Sequence, residues 1–114
     1  TRHSTLFPYT TLFRSAIQDY TSAIQIAPNS SRSHFALGFI HYQYLKVYDQ
    51  AIKHYNDAIA ADSAWPEAYF NRGLCFEAVG NIAAANQSYE KALQLNPKYG
   101  NAAQALGRLN KPMN

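Results

Sequence analysis

Apolar residues recur with the period of an α-helix from Ala16 onward, in three related segments. The segments read AIQDYTSAIQIAPNS, AIKHYNDAIAADSAW and ANQSYEKALQLNPKY, and each contains the spacing Ala-x3-Tyr-x2-Ala. The offset is 35 residues from Ala16 to Ala51 and 34 residues from Ala51 to Ala85. Small residues at helical spacing let a neighbouring helix come close, and a tyrosine fills the groove between helices. The pattern predicts three copies of one amphipathic helix.

A second kind of helix precedes two of these copies. Its segments are HFALGFIHYQYL at residues 34–45 and YFNRGLCFEAVG at residues 69–80. Each contains an interior glycine, Gly38 or Gly73, although glycine costs about 1 kcal/mol relative to alanine inside a helix. We therefore expect both glycines to lie at a close contact between helices.

The turns that follow these two segments differ. After the second segment, Gly80 is expected to take the left-handed conformation that ends a helix, and Asn81 to cap the next helix. After the first segment, the turn Leu45-Lys46-Val47 contains no glycine. We expect this turn to hold the extra residue that makes the first offset 35 rather than 34.

Together these residues resemble the tetratricopeptide repeat, a helix-turn-helix unit of about 34 residues. In residues 66–99 the family's signature positions are filled by Tyr69, Gly73, Phe76, Ala85, Tyr89, Ala92 and Pro97, while Arg72 stands where leucine is usual. Residues 31–65 match at Leu37, Gly38, Ala51, Tyr55 and Ala58 and depart at His34, His41 and Ser63. The resemblance implies an all-α, right-handed solenoid of antiparallel helix pairs. It also implies a domain over 16–114, with the second helix of a truncated repeat at 16–30, repeats at 31–65 and 66–99, and a C-terminal capping helix at 100–111.

Residues 1–15 depart from this register. A repeat whose second helix begins near Ala16 needs a first helix at about residues 1–10, but TLFPYTTLFRS at residues 5–15 lacks a helical apolar period and is interrupted by Pro8. These eleven residues resemble the translation of a widely used sequencing-adapter oligonucleotide. We therefore expect residues 1–15 to be irregular and non-native, with the biological sequence starting at Ala16. An irregular native extension is the alternative.

The charge of the chain changes if that segment is excluded. The net charge of +3 comes from 10 basic and 7 acidic residues, and removing Arg2 and Arg14 leaves 8 against 7, or +1. The remaining cations are spread along the chain, so no nucleic-acid partner is expected. No apolar run approaches the roughly 18 residues of a membrane span. The single cysteine, Cys75, fits a reducing compartment such as the cytoplasm.

The sequence predicts no catalytic, cofactor or metal site. His34 and His41 share a helix face, but they are seven residues apart instead of four, and no carboxylate or cysteine is expected near them. We expect both to pack between helices where the repeat usually has aromatic residues. Cys75 is expected to be a small buried residue. No phosphate-binding glycine loop, carboxylate pair in a cleft or nucleophile elbow is recognisable.

The resemblance implies a non-catalytic interaction module, a scaffold or adaptor that binds a partner peptide in the concave groove lined by the first helix of each repeat. Transferred to this sequence, the groove residues are Arg32, Phe35, Phe39, Tyr42, Gln43, Glu67, Phe70, Leu74, Glu77, Asn101, Gln104 and Arg108. Their four aromatic side chains favour a partner that inserts apolar groups, with the charged members at the rim. The alternative function is the recognition arm of a larger enzyme whose catalytic domain lies upstream.

Two further expectations concern partners. Family members that bind the acidic C-terminus of heat-shock chaperones use Lys and Asn on one first helix, Asn on the next, and Lys and Arg on the one after. The corresponding residues here are Phe35, Phe39, Asn71, Asn101 and Ala105. Only Asn71 matches, so no tight binding of an acidic C-terminal peptide is expected.

A truncated array would also expose apolar surface on helix 14–27, Phe35 and Phe39, through which two copies could pair.

Overall fold

Six consecutive α-helices make up the part of the chain that the structure describes, residues 8–111, with side chains from residue 11 onward. The computed structural model has α1 at Pro8–Ile26, α2 at Ser31–Ile40, α3 at Tyr48–Ala61, α4 at Pro66–Ala78, α5 at Ile82–Leu95 and α6 at Gly100–Leu109. Each helix packs against the next in an elongated array of 54 × 35 × 22 Å. None of these six helices has the length and apolar character needed to cross a membrane.

Helix α1 corrects the expectation for the N-terminal segment. Residues 8–15 are helical, and α1 continues without a break from Pro8 to Ile26, so the irregular conformation expected there is wrong. Proline is well suited to the first turn of a helix, where its missing N–H has no intrahelical acceptor in any case. Pro8 therefore begins a helix and does not interrupt one. The origin of the segment stays a hypothesis, and residues 1–7 lie outside the described residues.

The repeated Ala-x3-Tyr-x2-Ala spacing forms the core. Complete burial is shared by the six residues of the second and third copies, which are Ala51, Tyr55, Ala58, Ala85, Tyr89 and Ala92. Each tyrosine ring lies against the glycine of the preceding helix. A Cβ atom added at Gly38 would lie 2.9 Å from the Tyr55 ring, and one added at Gly73 would lie 2.5 Å from the Tyr89 ring. The close contacts expected at these glycines are confirmed.

The turn between α4 and α5 agrees with the sequence prediction. Gly80 has φ of +85°, in the left-handed region, and its N–H donates to the Glu77 carbonyl. The Asn81 side chain accepts a hydrogen bond from the Ala84 N–H at 3.2 Å and so caps α5. Both predictions for this turn are confirmed.

The extra residue after α2 lies in the helix and not in the turn, which corrects the expectation for Leu45-Lys46-Val47. A π-helical turn continues α2 over His41–Leu45, and Lys46 then takes the left-handed conformation with φ of 58°. Lys46 occupies the position that Gly80 holds in the next repeat. It lies eight residues after Gly38, whereas Gly80 lies seven after Gly73. Because a π turn accommodates one more residue than an α turn, it absorbs the insertion.

Arg72, which replaces the leucine usual in the repeat, links three helices. From α4, its Nε donates to the Ser88 hydroxyl of α5 at 3.2 Å, and its Nη1 donates to the Asn56 side-chain oxygen of α3 at 3.0 Å. The guanidinium also lies 5.4 Å from the centroid of the Tyr69 ring. Burial lowers the pKa of Arg72. At this position hydrogen bonds thus hold the three helices together, where a leucine would do so by apolar packing.

The residues considered as possible reactive groups are packed into the helical layer. Cys75 is completely buried, and burial raises the pKa of its thiol to about 12. This disfavours the reactive thiolate and confirms the small buried residue that was expected. His34 is buried and His41 is half-buried, so the expectation that both pack between helices is also confirmed.

Candidate functional site

The first helices of successive repeats are α2, α4 and α6, with α6 in the position of a further first helix. They meet around a shallow depression of about 220 Å³, here called the central depression. It is lined by Tyr42 from the π turn after α2, by Leu74, Glu77 and Ala78 from α4, and by Arg108 from α6. The helices between them in sequence, α3 and α5, contribute no lining residue. The central depression therefore lies on the face that the first helices share.

An ion pair forms one wall of the central depression. Arg108 binds the Glu77 carboxylate with two nitrogens, Nη1 to Oε2 and Nη2 to Oε1, the latter at 3.1 Å. The Tyr89 hydroxyl donates to Oε1 of the same carboxylate at 2.8 Å. These bonds, first that from Arg108, lower the pKa of Glu77, and Glu77 in turn raises the pKa of Arg108. The wall is therefore polar but carries no net charge.

The remaining wall and floor are apolar. Tyr42 and Leu74 are half-buried and pack on the core, while Ala78 is exposed at the end of α4. Burial is the main cause that raises the pKa of the Tyr42 hydroxyl. A small apolar surface beside a neutralised ion pair suits one inserted apolar side chain together with neighbouring polar groups.

Two of the predicted groove aromatics are occupied in intramolecular packing. Phe35 stacks on Trp65 with ring centroids 4.4 Å apart, and it meets Tyr55 edge-on at 5.4 Å. Phe70 lies between Tyr89 and Tyr99, at 5.6 Å and 5.2 Å. Both rings are half-buried, so only part of each is open to a partner. Phe39 is more open, with 39% of its surface exposed.

The structure thus gathers four of the twelve predicted groove residues, Tyr42, Leu74, Glu77 and Arg108, around one depression. Arg32 lies beside a separate depression of about 180 Å³ with Ser31, Asp62 and Trp65. The other polar members are exposed but line neither depression: Gln43, Glu67, Asn101 and Gln104. Sequence reasoning missed Ala78, although it lies four residues after Leu74 and so on the same helix face.

A larger depression of about 350 Å³ was not predicted. Its lining comes from α1 and the π turn and consists of Phe13, Arg14, Ile17, Gln18, Tyr44 and Leu45. The Phe13 and Tyr44 rings stack there with centroids 4.4 Å apart. Because residues 1–15 were expected to lie outside the fold, no partner was expected for Tyr44. Leu12 and Ile26 are exposed on α1, and self-association through this apolar face stays a prediction.

The expectation that no carboxylate lies near the histidines is wrong. Asp57 Oδ2 lies 3.9 Å from Nδ1 of His34, and His54 completes a group of three whose potential ligand atoms lie within 4.8 Å of one another. The His41 ring is 5.0 Å from that of His54. Burial, followed by the neighbouring His41 and His34, lowers the pKa of His54 to about 4. His54 is therefore neutral at pH 7.

Comparison with known sequences finds tetratricopeptide repeats. The family described as "Tetratricopeptide repeat" matches residues 66–99, and that described as "TPR repeat" matches residues 45–80. The Small glutamine-rich tetratricopeptide repeat-containing protein 2 of Saccharomyces cerevisiae is 32% identical over 93 residues, covering 82% of this chain and 26% of that protein. The Hsp70-Hsp90 organizing protein 2 of Arabidopsis thaliana is 33% identical over 52 residues, covering 46% of this chain and 9% of that protein. This chain thus spans about a quarter or less of these relatives.

Comparison with solved structures identifies the same fold. The structure titled "First TPR of Spaghetti (RPAP3) bound to HSP90 peptide SRMEEVD" superposes with a TM-score of 0.83. The two chains are 22% identical, and the match covers 96% of this chain and 86% of that chain. The all-α helical-repeat solenoid predicted from the sequence is confirmed.

Proposed function

We propose that this chain, a tetratricopeptide-repeat protein, is a non-catalytic interaction module that binds a peptide segment of a partner protein across the central depression. The observation that carries the proposal is that three successive first helices contribute residues to the central depression, namely Tyr42, Leu74, Ala78 and Arg108. A surface built from separate repeats can contact several residues of an extended peptide at once. Domains of this family are generally non-catalytic, and one structural relative is bound to an HSP90 peptide.

The chemistry of the central depression indicates the kind of peptide. Its volume of about 220 Å³ suits one large apolar side chain, which would cover Leu74 and the exposed Ala78. Glu77 and Arg108 neutralise each other, so the rim does not select strongly for peptide charge. Arg108 has 55% of its side chain exposed, which leaves guanidinium N–H groups free to donate to peptide carbonyls. We therefore expect a peptide with an apolar anchor residue.

A peptide selection tests this function. A random peptide library displayed on phage is selected against the chain, and an enriched peptide is titrated by calorimetry. We expect a micromolar Kd for the parent chain and a Kd at least about tenfold higher for Ala78→Gln. The longer glutamine side chain fills the central depression and removes the contacts of the anchor residue, which are expected to contribute as much binding energy as those of a hot-spot residue. Ala83→Gln is the matched control, since Ala83 is also an exposed helical alanine but lies on α5 outside the depression.

The proposal fails if no peptide is enriched, or if Ala78→Gln and Ala83→Gln weaken binding equally. Both variants keep a helix-favouring side chain at an exposed position, so both are expected to fold as the parent does. Circular dichroism of each variant verifies this before titration.

The heptapeptide SRMEEVD is expected not to bind with micromolar affinity. None of the clamp positions holds a Lys or Arg residue. Two of them are also occupied in packing, since Phe35 is stacked on Trp65 and Ala105 is only 4% exposed. Asn71, the one matching residue, donates its side-chain amide to the Glu67 carbonyl at 2.8 Å. Without Lys or Arg, the two carboxylates of an acidic C-terminus gain no charge-assisted hydrogen bonds. Calorimetric titration checks this, with the library-selected peptide as the positive control, and a micromolar Kd for SRMEEVD would contradict it.

A further inference from the structure

Three side chains with metal-binding groups converge between the two helices of the repeat at residues 31–65. His34 comes from α2, and His54 and Asp57 come from α3, where their spacing of three residues places them on one helix face. One potential ligand atom of each lies within 4.8 Å of the others, and His34 Nδ1 is 3.9 Å from Asp57 Oδ2. The group therefore joins two helices that are separate in sequence.

One nitrogen on each histidine ring of this group lacks the hydrogen bond that a buried polar atom normally makes. His34 is only 7% exposed, and its Nε2 lies 2.9 Å from the Pro28 carbonyl oxygen. Because a carbonyl can only accept, Nε2 carries the proton, and Nδ1 of the neutral ring presents a lone pair. Nδ1 of His34 and Nδ1 of His54 are both buried without a hydrogen-bond partner among the described residues. Unpaired buried nitrogens on two residues of one group call for an explanation, and a bound ion supplies one.

We propose that His34, His54 and Asp57 bind a Zn²⁺ ion that ties α2 to α3. Two imidazole nitrogens and one carboxylate oxygen form a ligand set that Zn²⁺ takes in proteins, with the fourth position open. Tetrahedral ligands about 2.0–2.1 Å from the ion lie about 3.3 Å from one another. Asp57 has 50% of its side chain exposed, so its carboxylate has room to move toward the two histidines.

The surroundings of His34 fit the role of a metal ligand. A metal-binding imidazole usually donates its other N–H to a carbonyl or carboxylate, which fixes the ring orientation and raises its basicity. The bond from His34 Nε2 to the Pro28 carbonyl does this here. His41 lies next to the group, but its Nδ1 donates to the Leu37 carbonyl at 2.8 Å, and it is not one of the three ligands.

Zinc titration of the full chain tests the site. After chelator treatment, Zn²⁺ is titrated in competition with a chromophoric chelator, and Co²⁺ is used as a spectroscopic probe. We expect one Zn²⁺ per chain with a micromolar or tighter Kd, the visible absorption of tetrahedral Co²⁺, and a Tm that rises with Zn²⁺. Asp57→Asn and His54→Gln should each weaken Zn²⁺ binding by at least about tenfold.

Matched controls separate this site from adventitious binding. Asp49→Asn removes an exposed carboxylate from the same helix, and His3→Ala removes a histidine from residues 1–7, so neither should change the affinity. Asp57 is exposed, so Asp57→Asn is expected to retain the parent circular dichroism spectrum. The site is refuted if the parent chain binds no Zn²⁺, or if Asp57→Asn and His54→Gln bind it as the parent does. Loss of binding in His3→Ala would equally overturn the proposal.

Discussion

Replacing Tyr55 with alanine is expected to lower the free energy of unfolding by about 4 kcal/mol, the range measured for large buried side chains. Tyr55 has no exposed surface, contacts the backbone of α2 at Gly38, and meets Phe35 edge-on. Its removal leaves a cavity between α2 and α3 that the helices cannot fill without moving. Because small domains are stable by only about 5–15 kcal/mol, urea unfolding followed by circular dichroism should show a much lower midpoint.

Tyr55→Phe is the matched control, and the opposite result is expected for it. The Tyr55 hydroxyl is buried without a hydrogen-bond partner among the described residues, and burial raises its pKa. Removing an unpaired buried hydroxyl while keeping the ring should leave stability unchanged or raise it by about 1 kcal/mol. If Tyr55→Phe lowers the free energy of unfolding as much as Tyr55→Ala does, packing of the Tyr55 ring is not the source of its contribution to stability.

Gly73→Ala is expected to destabilise the chain by about 2 kcal/mol. The added Cβ would lie 2.5 Å from Cε1 of Tyr89, a ring atom that is completely buried and held by the hydroxyl bond to Glu77. The strain of overpacking, about 3 kcal/mol, exceeds the gain of about 1 kcal/mol from replacing a helical glycine. Urea unfolding measures the difference.

Gly107→Ala provides the comparison within the same molecule. Gly107 is exposed in α6, and a Cβ there would meet no atom within 4 Å. This substitution should therefore stabilise the chain by about 0.5–1 kcal/mol. Destabilisation by both substitutions would show that the close contact between Gly73 and Tyr89 is not the cause.

The regular part of the fold is predictable from the sequence because its packing rule repeats. Gly38 and Tyr55, and again Gly73 and Tyr89, recur at fixed spacing and meet in the structure. The departures come from residues whose conformation depends on context. A proline can either interrupt a helix or begin one, and Pro8 begins α1. The insertion after Gly38 fits equally in a turn or in a π-helical turn, and only packing decides between them.

The candidate site is less predictable, because its key pairings join distant residues. Register alone placed Tyr42, Leu74 and Arg108 on the face of the first helices. The bond between Glu77 and Arg108, 31 residues apart, depends on how α4 and α6 pack, and it cancels two of the charges that were expected at the rim of the groove. The approach of His34 to Asp57 likewise depends on the packing of α2 on α3. The spacing of His54 and Asp57 was the available signal, and it is too common to be specific.

The most direct measurement of the proposed function is an NMR titration of the isotope-labelled chain with the library-selected peptide. We predict that backbone amide shifts concentrate at the central depression, around Tyr42, residues 74–78 and Arg108, and that the same peptide produces no such shifts in Ala78→Gln. Shifts confined to the depression beside α1, around Ile17 and Leu45, or spread evenly over all six helices, would contradict the claim that the first helices form the binding surface.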